Sequence, residues 1–129
     1  MRKLLFAGLA LLTLCACSST PEEQAARAAR AYYQHLIDDR PEEFLQGKAD
    51  VDSLPDSYRA QLLMAINQYR ADMLDKHNGL HEVQVSDNVG RRDTSLHLTY
   101  AFLLLCYGDS TQEEITVPMV ERDGRWLMK

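Results

Sequence analysis

Cysteine is scarce in this chain: three residues in 129, two of them at positions 15 and 17 and the third, Cys106, alone in an apolar run. A disulfide framework is therefore excluded as the organising device, and Cys106 reads as a buried, inert thiol. Glycine (six) and proline (four) are too few for a fibrous or low-complexity chain. Positive charge is in deficit, with 14 Lys and Arg against 19 Asp and Glu and a net charge of −5. That balance argues against nucleic acid as a partner, since phosphate binding needs clustered cations. The longest apolar stretch near the start, Leu4 to Leu14, is eleven residues, short of the ~20 that span a bilayer. No nucleophile elbow, phosphate-cradling glycine loop or calcium loop is present.

What remains is an ordinary globular composition, 46% apolar and 26% charged with mean hydropathy −0.33, and a length that suits one domain. Arg2 and Lys3 precede the Leu4–Leu14 stretch, as in a signal segment with a positive start and an apolar centre. Leu14-Cys15-Ala16-Cys17-Ser18 then resembles the lipobox of bacterial lipoproteins, with Leu at −3, Ala at −1 and Cys17 as the acylated residue. The alternative, Cys15, would put the bulky Leu14 at −1. The expected organisation is a signal peptide over 1–16, a lipidated cysteine and short tether over 17–21, and one domain over 22–129. The resemblance implies three acyl chains on Cys17. Since one chain binds a bilayer only marginally and two or more hold firmly, such a protein is membrane-anchored. Ser18, with no Asp beside Cys17, matches the outer-membrane sorting pattern, on the periplasmic side or the cell surface. Removal of the leader leaves twelve Lys and Arg against nineteen acids, a charge of −7.

Along the mature chain, Thr20-Pro21-Glu22-Glu23 is a helix start with cap, first-turn proline and capping-box glutamate. Ala25, Ala26, Ala29, Tyr32, Tyr33, Leu36 and Ile37 follow at helical spacing, ending at Arg40-Pro41. Pro41 to Leu45 predicts a short second helix stopped at Gly47, and 48–54 a loop. A third helix from about Pro55 carries Tyr58, Leu62, Ile66, Tyr69 and Met73 on one stripe and ends at Asn78-Gly79. Period two then takes over: a strand at Val83 and Val85, a turn over 88–93, a long strand over 94–107, and a strand over 111–121. Asp123-Gly124 is a tight turn into the final strand over 125–129.

Two-residue turns at Gly108-Asp109 and Asp123-Gly124 pair Tyr100 with Val117, Phe102 with Ile115, and Met119 with Met128. They predict one helix-facing sheet side made of Leu98, Tyr100, Phe102, Leu104, Cys106, Ile115, Val117, Met119, Trp126 and Met128. Pro118 falls opposite Lys129, at the end of that ladder, where its missing N–H is tolerated. Helices followed by a four-stranded antiparallel meander define an α+β fold. The element order and the ending Glu-Glu-Ile-Thr-Val-Pro-Met-Val-Glu-Arg-Asp-Gly-Arg-Trp-Leu resemble the nuclear-transport-factor-2-like (cystatin-like) superfamily, in particular bacterial lipoproteins with an uncharacterised domain of that type. The resemblance implies a curved sheet around helices, with a pocket at the open end of the cone. Enzymes of the superfamily use an Asp or a His–Asp pair there, but no such motif matches this sequence, so no catalytic residue is carried over.

On strand parity, the polar or amphipathic groups expected on the helix side are His81, Tyr100, Glu113 and Trp126, with Tyr33 from the first helix. They are the candidate pocket lining, His81 being the one able to act as a base near neutral pH. The opposite sheet side, with Ala101, Leu103, Leu105, Val120 and Leu127, is more apolar than a solvated face and is the candidate contact for a homodimer or an envelope partner. His77 and His81 are four apart, but Asn78-Gly79 breaks the helix between them, so no metal site is expected, and no cofactor. The expected function is a membrane-tethered, non-catalytic module binding a small ligand or a protein. The competing expectation is an isomerase- or hydratase-like enzyme using acid–base chemistry in the cone.

Overall fold

The computed structural model describes residues 19–129. The leader, Cys15 and Cys17 lie outside the described residues. None of the described helices is long and apolar enough to cross a membrane.

The first helix, α1 (Pro21–Ile37), starts where the sequence signals it. Thr20 Oγ1 accepts from the Glu23 N–H at 3.1 Å, and Glu23 Oε1 accepts from the Thr20 N–H at 2.9 Å. The two contacts satisfy donors that a helix start leaves unpaired. Ala25, Ala26 and Ala29 are fully buried, and Leu36 nearly so. Methyl-sized side chains let α1 lie close on the sheet. Gly90 reflects the same closeness: a Cβ there would sit 2.5 Å from the Tyr100 carbonyl oxygen and 3.5 Å from Glu22 Cβ.

Next come α2 (Pro41–Gln46), a single 3₁₀ turn (Val51–Ser53) and α3 (Asp56–His77), which ends with Asn78 and Gly79 both at positive φ. The sheet follows in chain order as β1 (Leu80–Asp93), β2 (Leu98–Tyr107), β3 (Gln112–Arg122) and β4 (Arg125–Met128), all antiparallel. Residues 47–49 run beside β4: the Met128 N–H donates to Gly47 O and the Ala49 N–H to Met128 O, both at 2.7 Å. That contact covers an otherwise open sheet edge. Helices on one side of a four-stranded antiparallel meander give the expected α+β architecture.

The β3–β4 hairpin has the predicted register, with Met119 opposite Met128 and Glu121 opposite Trp126. Pro118 accepts from the Lys129 N–H at 2.9 Å at the end of that ladder. The β2–β3 hairpin does not follow prediction. Its loop has three residues, Gly108-Asp109-Ser110, with Ser110 at φ +72° and the Tyr107 N–H donating to Thr111 O at 2.9 Å. A type I turn closed by a left-handed residue is a common three-residue hairpin connection. Gly108 is there for another reason: a Cβ would lie 2.5 Å from Asn78 O.

One added loop residue moves the pairing by one, so Ala101, not Tyr100, faces Val117, and Leu103, not Phe102, faces Ile115. A slip of one exchanges the two faces of a strand. Ala101, Leu103 and Leu105 are therefore fully buried against α1, with Thr99 and Tyr107 beside them. Leu98, Tyr100, Phe102 and Leu104 are half-buried on the opposite face. β3 and β4 keep the expected sides, with Val117, Met119 and Met128 in the core.

β1 differs as well. The segment read as a turn over 88–93 belongs to the strand, which continues to Asp93 past a bulge. Val85 pairs with Leu103 and Gly90 with Ala101, leaving Ser86–Val89 outside the ladder. Such a bulge bends a strand and increases its twist. Ser86 Oγ and Asn88 Nδ2 both donate to Glu114 Oε2, the latter at 3.1 Å, holding the bulge to β3. The actual β1–β2 turn is 94–97. There Asp93 Oδ1 accepts from the Ser95 and Leu96 N–H groups, each at 3.1 Å.

Candidate functional site

The small residues that bring α1 onto the sheet have no counterpart on α3. Over 22 residues α3 buries Met73 alone, and Met64 and Leu74 are 71% and 65% exposed. Arg70 ties the helix to the end of α1, with Nε donating to Leu36 O and an NH1 bond to Asp39, both 2.8 Å. The stripe Leu62, Ile66 and Tyr69 faces inward without reaching the sheet. A cavity of about 350 Å³ is left between it, Tyr33 and Phe44 on one side, and Val117 and Met128 on the other. The Tyr33 and Phe44 rings meet edge to face at 5.1 Å.

This cavity is predominantly apolar. Lys48 and Lys129 are its only charged lining groups among the described residues. Burial, with a smaller contribution from Tyr69, pushes the Tyr33 phenol up to about 12, so it stays a neutral hydrogen-bonding group at physiological pH. A space of this size falls at the small end of ligand-binding cavities, and a largely hydrophobic wall with a few polar groups is their usual composition.

Tyr69 also lines a second, smaller cleft of about 200 Å³ with His77, Tyr107 and Glu113. Here α3 meets the β2–β3 turn. His77 Nδ1 lies 2.9 Å from Asp109 Oδ2, and its ring stacks on Tyr107 with centroids 4.2 Å apart. The Tyr107 hydroxyl donates to Glu113 Oε1 at 2.6 Å. Thr111's hydroxyl, then His77, then Thr111's N–H hold the Asp109 carboxyl down to about 2. Burial and the Glu113 contact both raise the Tyr107 phenol. Burial and the charge of Glu113 raise Tyr69. The result is an ionised carboxylate orienting an imidazole beside a neutral phenol, a set of groups suited to accepting and relaying a proton.

The five residues expected to line one pocket do not converge. Tyr33 lines the apolar cavity, and Glu113 the smaller cleft. His81 is exposed near the Asn78-Gly79 turn, in a cleft with Leu36 and Met73. Trp126 faces the helices, its Nε1 donating to Gln24 Oε1 at 3.3 Å, and borders a cleft with Arg92, His97 and Glu121. Tyr100 is corrected to the outer face, where Arg91 lies 4.9 Å over its ring. Ala101, Leu103 and Leu105, expected at an interface, are corrected to the core. Val120 and Leu127 pair on the outer face and are half-buried. Sequence reading missed the His77–Asp109 pair because 32 residues separate its members, and each already had a local reading, as helix end and as turn.

No group of three or more His, Cys, Asp or Glu placed to hold a metal occurs among the described residues. No protein-family model matches the chain, and no curated protein does. Among solved structures, a crystal structure from Campylobacter jejuni, for which an NTF2-like transpeptidase activity has been proposed, is similar at 12% identity with a TM-score of 0.61. It covers 85% of this chain and 97% of its own. At that identity the likeness speaks to architecture, and together with the helix order and the four-stranded meander it shows that this chain has an NTF2-like α+β fold.

Proposed function

We propose that this protein is a cell-envelope lipoprotein, anchored through acylated Cys17 at the outer membrane, whose NTF2-like domain binds a small, largely apolar ligand without transforming it. The observation that carries the binding reading is the 350 Å³ cavity between α3 and the sheet, walled by Tyr33, Phe44, Ile66 and Met128. The loosely packed α3 supports it, since a helix with one buried side chain can yield to admit a guest. The anchor reading rests on Leu14-Cys15-Ala16-Cys17-Ser18.

Titration with N-phenyl-1-naphthylamine, an apolar fluorophore, tests the cavity. Saturable enhancement is expected, and Ile66→Trp, which fills the space, should abolish it while leaving the circular dichroism unchanged. A wild-type protein that shows no saturable signal overturns the reading. Fractionation tests the anchor: Cys17→Ala should leave the membrane fraction, and unchanged partitioning refutes acylation at that residue.

The His77–Asp109 pair supports a second reading, acid–base catalysis of the isomerase or hydratase kind, with His77 as base and Tyr107 as the neighbouring hydrogen-bond donor. In that reading His77→Gln eliminates turnover of a bound substrate and spares fluorophore binding in the larger cavity.

A further inference from the structure

The inference concerns which end of the domain meets the bilayer, and it rests on the lipid-anchor reading above. α1 begins at Pro21, so only residues 18–20 separate it from Cys17. At ~3.3–3.6 Å per extended residue, that tether holds the start of α1 within about 14 Å of the acylated sulfur.

Two turns share that end of the molecule. Gly90, late in β1, approaches Glu22, and Trp126, early in β4, bonds to Gln24. The β1–β2 turn (94–97) and the β3–β4 turn (123–124) therefore lie beside the helix start, and residues of both border one cleft. The other end is built from the last turn of α3, the start of β1 and the β2–β3 turn. α1 spans 17 residues, so at ~1.5 Å per residue it sets the two ends about 25 Å apart.

Charge distinguishes the ends. The far end carries Asp72, Asp75, Glu82, Asp109, Glu113 and Glu114 against Lys76. At the near end Arg91, Arg92, Arg122 and Arg125 face Asp93, Glu121 and Asp123. Asp93 is engaged by its own turn, and Arg122 by Asp50. Arg92 and Arg125 have no ion pair among the described residues and are exposed. Between the turns Leu96 is 59% exposed, an apolar side chain at the apex of a loop.

An exposed apolar residue flanked by arginines suits the headgroup boundary of an anionic bilayer, where the guanidinium groups meet phosphate and the leucine reaches the acyl region. We propose that this end docks on an anionic lipid surface through Leu96, Arg92 and Arg125. The acidic end, with the His77–Asp109 cleft, is then turned away from the membrane.

The test uses protein purified from membranes of cells expressing the full chain, in a Cys106→Ser background. It is returned to vesicles of phosphatidylethanolamine and phosphatidylglycerol containing a brominated lipid. Leu96→Cys and Asp75→Cys are labelled separately with an environment-sensitive fluorophore. The label at 96 is expected to lose most of its emission to the quencher and the label at 75 to keep it. Adding Arg92→Glu and Arg125→Glu should restore emission at 96, with the folded state checked by circular dichroism. Equal quenching at both sites, stronger quenching at 75, or none at 96 overturns the orientation. The mass of the Cys17 peptide is read on the same samples. Acyl mass with the wrong quenching pattern refutes the orientation alone, and absence of acyl mass removes the anchor and the orientation together.

Discussion

α1 and α3 are of comparable composition and differ in what they bury. In 17 residues α1 buries Ala25, Ala26, Ala29 and Leu36, whereas α3, at 22 residues, buries Met73. α1 also reaches the sheet through polar contacts, Arg30 Nε donating to Val83 O at 2.9 Å and the Tyr32 hydroxyl to Trp126 O at 2.7 Å. α3 is held at its ends, by Arg70 on α1 and by His77 on the β2–β3 turn, and stands clear of the sheet between them. One helix builds the core, and the other roofs a cavity. The difference comes from side-chain size: methyl groups permit close approach, while Leu62, Ile66 and Tyr69 leave a gap they do not fill.

The largest expected effect tests the core under α1. Leu103→Ala should destabilise by ~2–5 kcal/mol, because it removes a fully buried side chain. Leu104→Ala, on the half-buried outer face, should cost clearly less. Urea denaturation of both variants measures the contrast, and equal losses would mean that β2 has no distinct inner side.

A smaller contrast compares the helices directly. Ala29→Leu overpacks a site with no free space and should cost ~1–3 kcal/mol. Met64→Ala on exposed α3 should stay within ~0.5 kcal/mol. Thermal unfolding of both separates a core-building helix from a roofing one.

The mildest effect is on pH dependence. The Tyr33 phenol is raised to about 12 in the folded protein, above its ordinary value near 10. The folded state thus holds a proton that the unfolded state gives up. This contribution is complete below pH ~10 and falls as pH rises through about 12. Tyr33→Phe should flatten the alkaline loss of stability, and absorbance at 295 nm should show one fewer late-titrating phenol.

The Thr20 capping box, the Arg40-Pro41 stop and the Asn78-Gly79 helix end were all legible, because each depends on chemistry within a few residues. The β3–β4 register was legible for the same reason, since Asp123 and Gly124 both take positive φ in a two-residue turn. The β2–β3 register was not. Gly108-Asp109 resembles such a turn, but Gly108 is glycine because Asn78 crowds it, and Ser110 takes the left-handed position. That single residue moved Ala101, Leu103 and Leu105 from the expected interface to the core, and Tyr100 out of the expected pocket. Of the candidate site, Tyr33 was legible as a helix residue facing inward. His77 with Asp109 was not, because nothing local to either residue announces the other.

The sequence by itself determined the elements, their order and the α+β class, since periodicity, caps and turn residues act over a few positions along the chain. Only the tertiary structure decided which side of β2 is dry, where α3 stands off the sheet to leave a cavity, and that His77 meets Asp109. Those outcomes depend on atoms distant in sequence competing for the same space, where one residue of loop length or one methyl group shifts the balance.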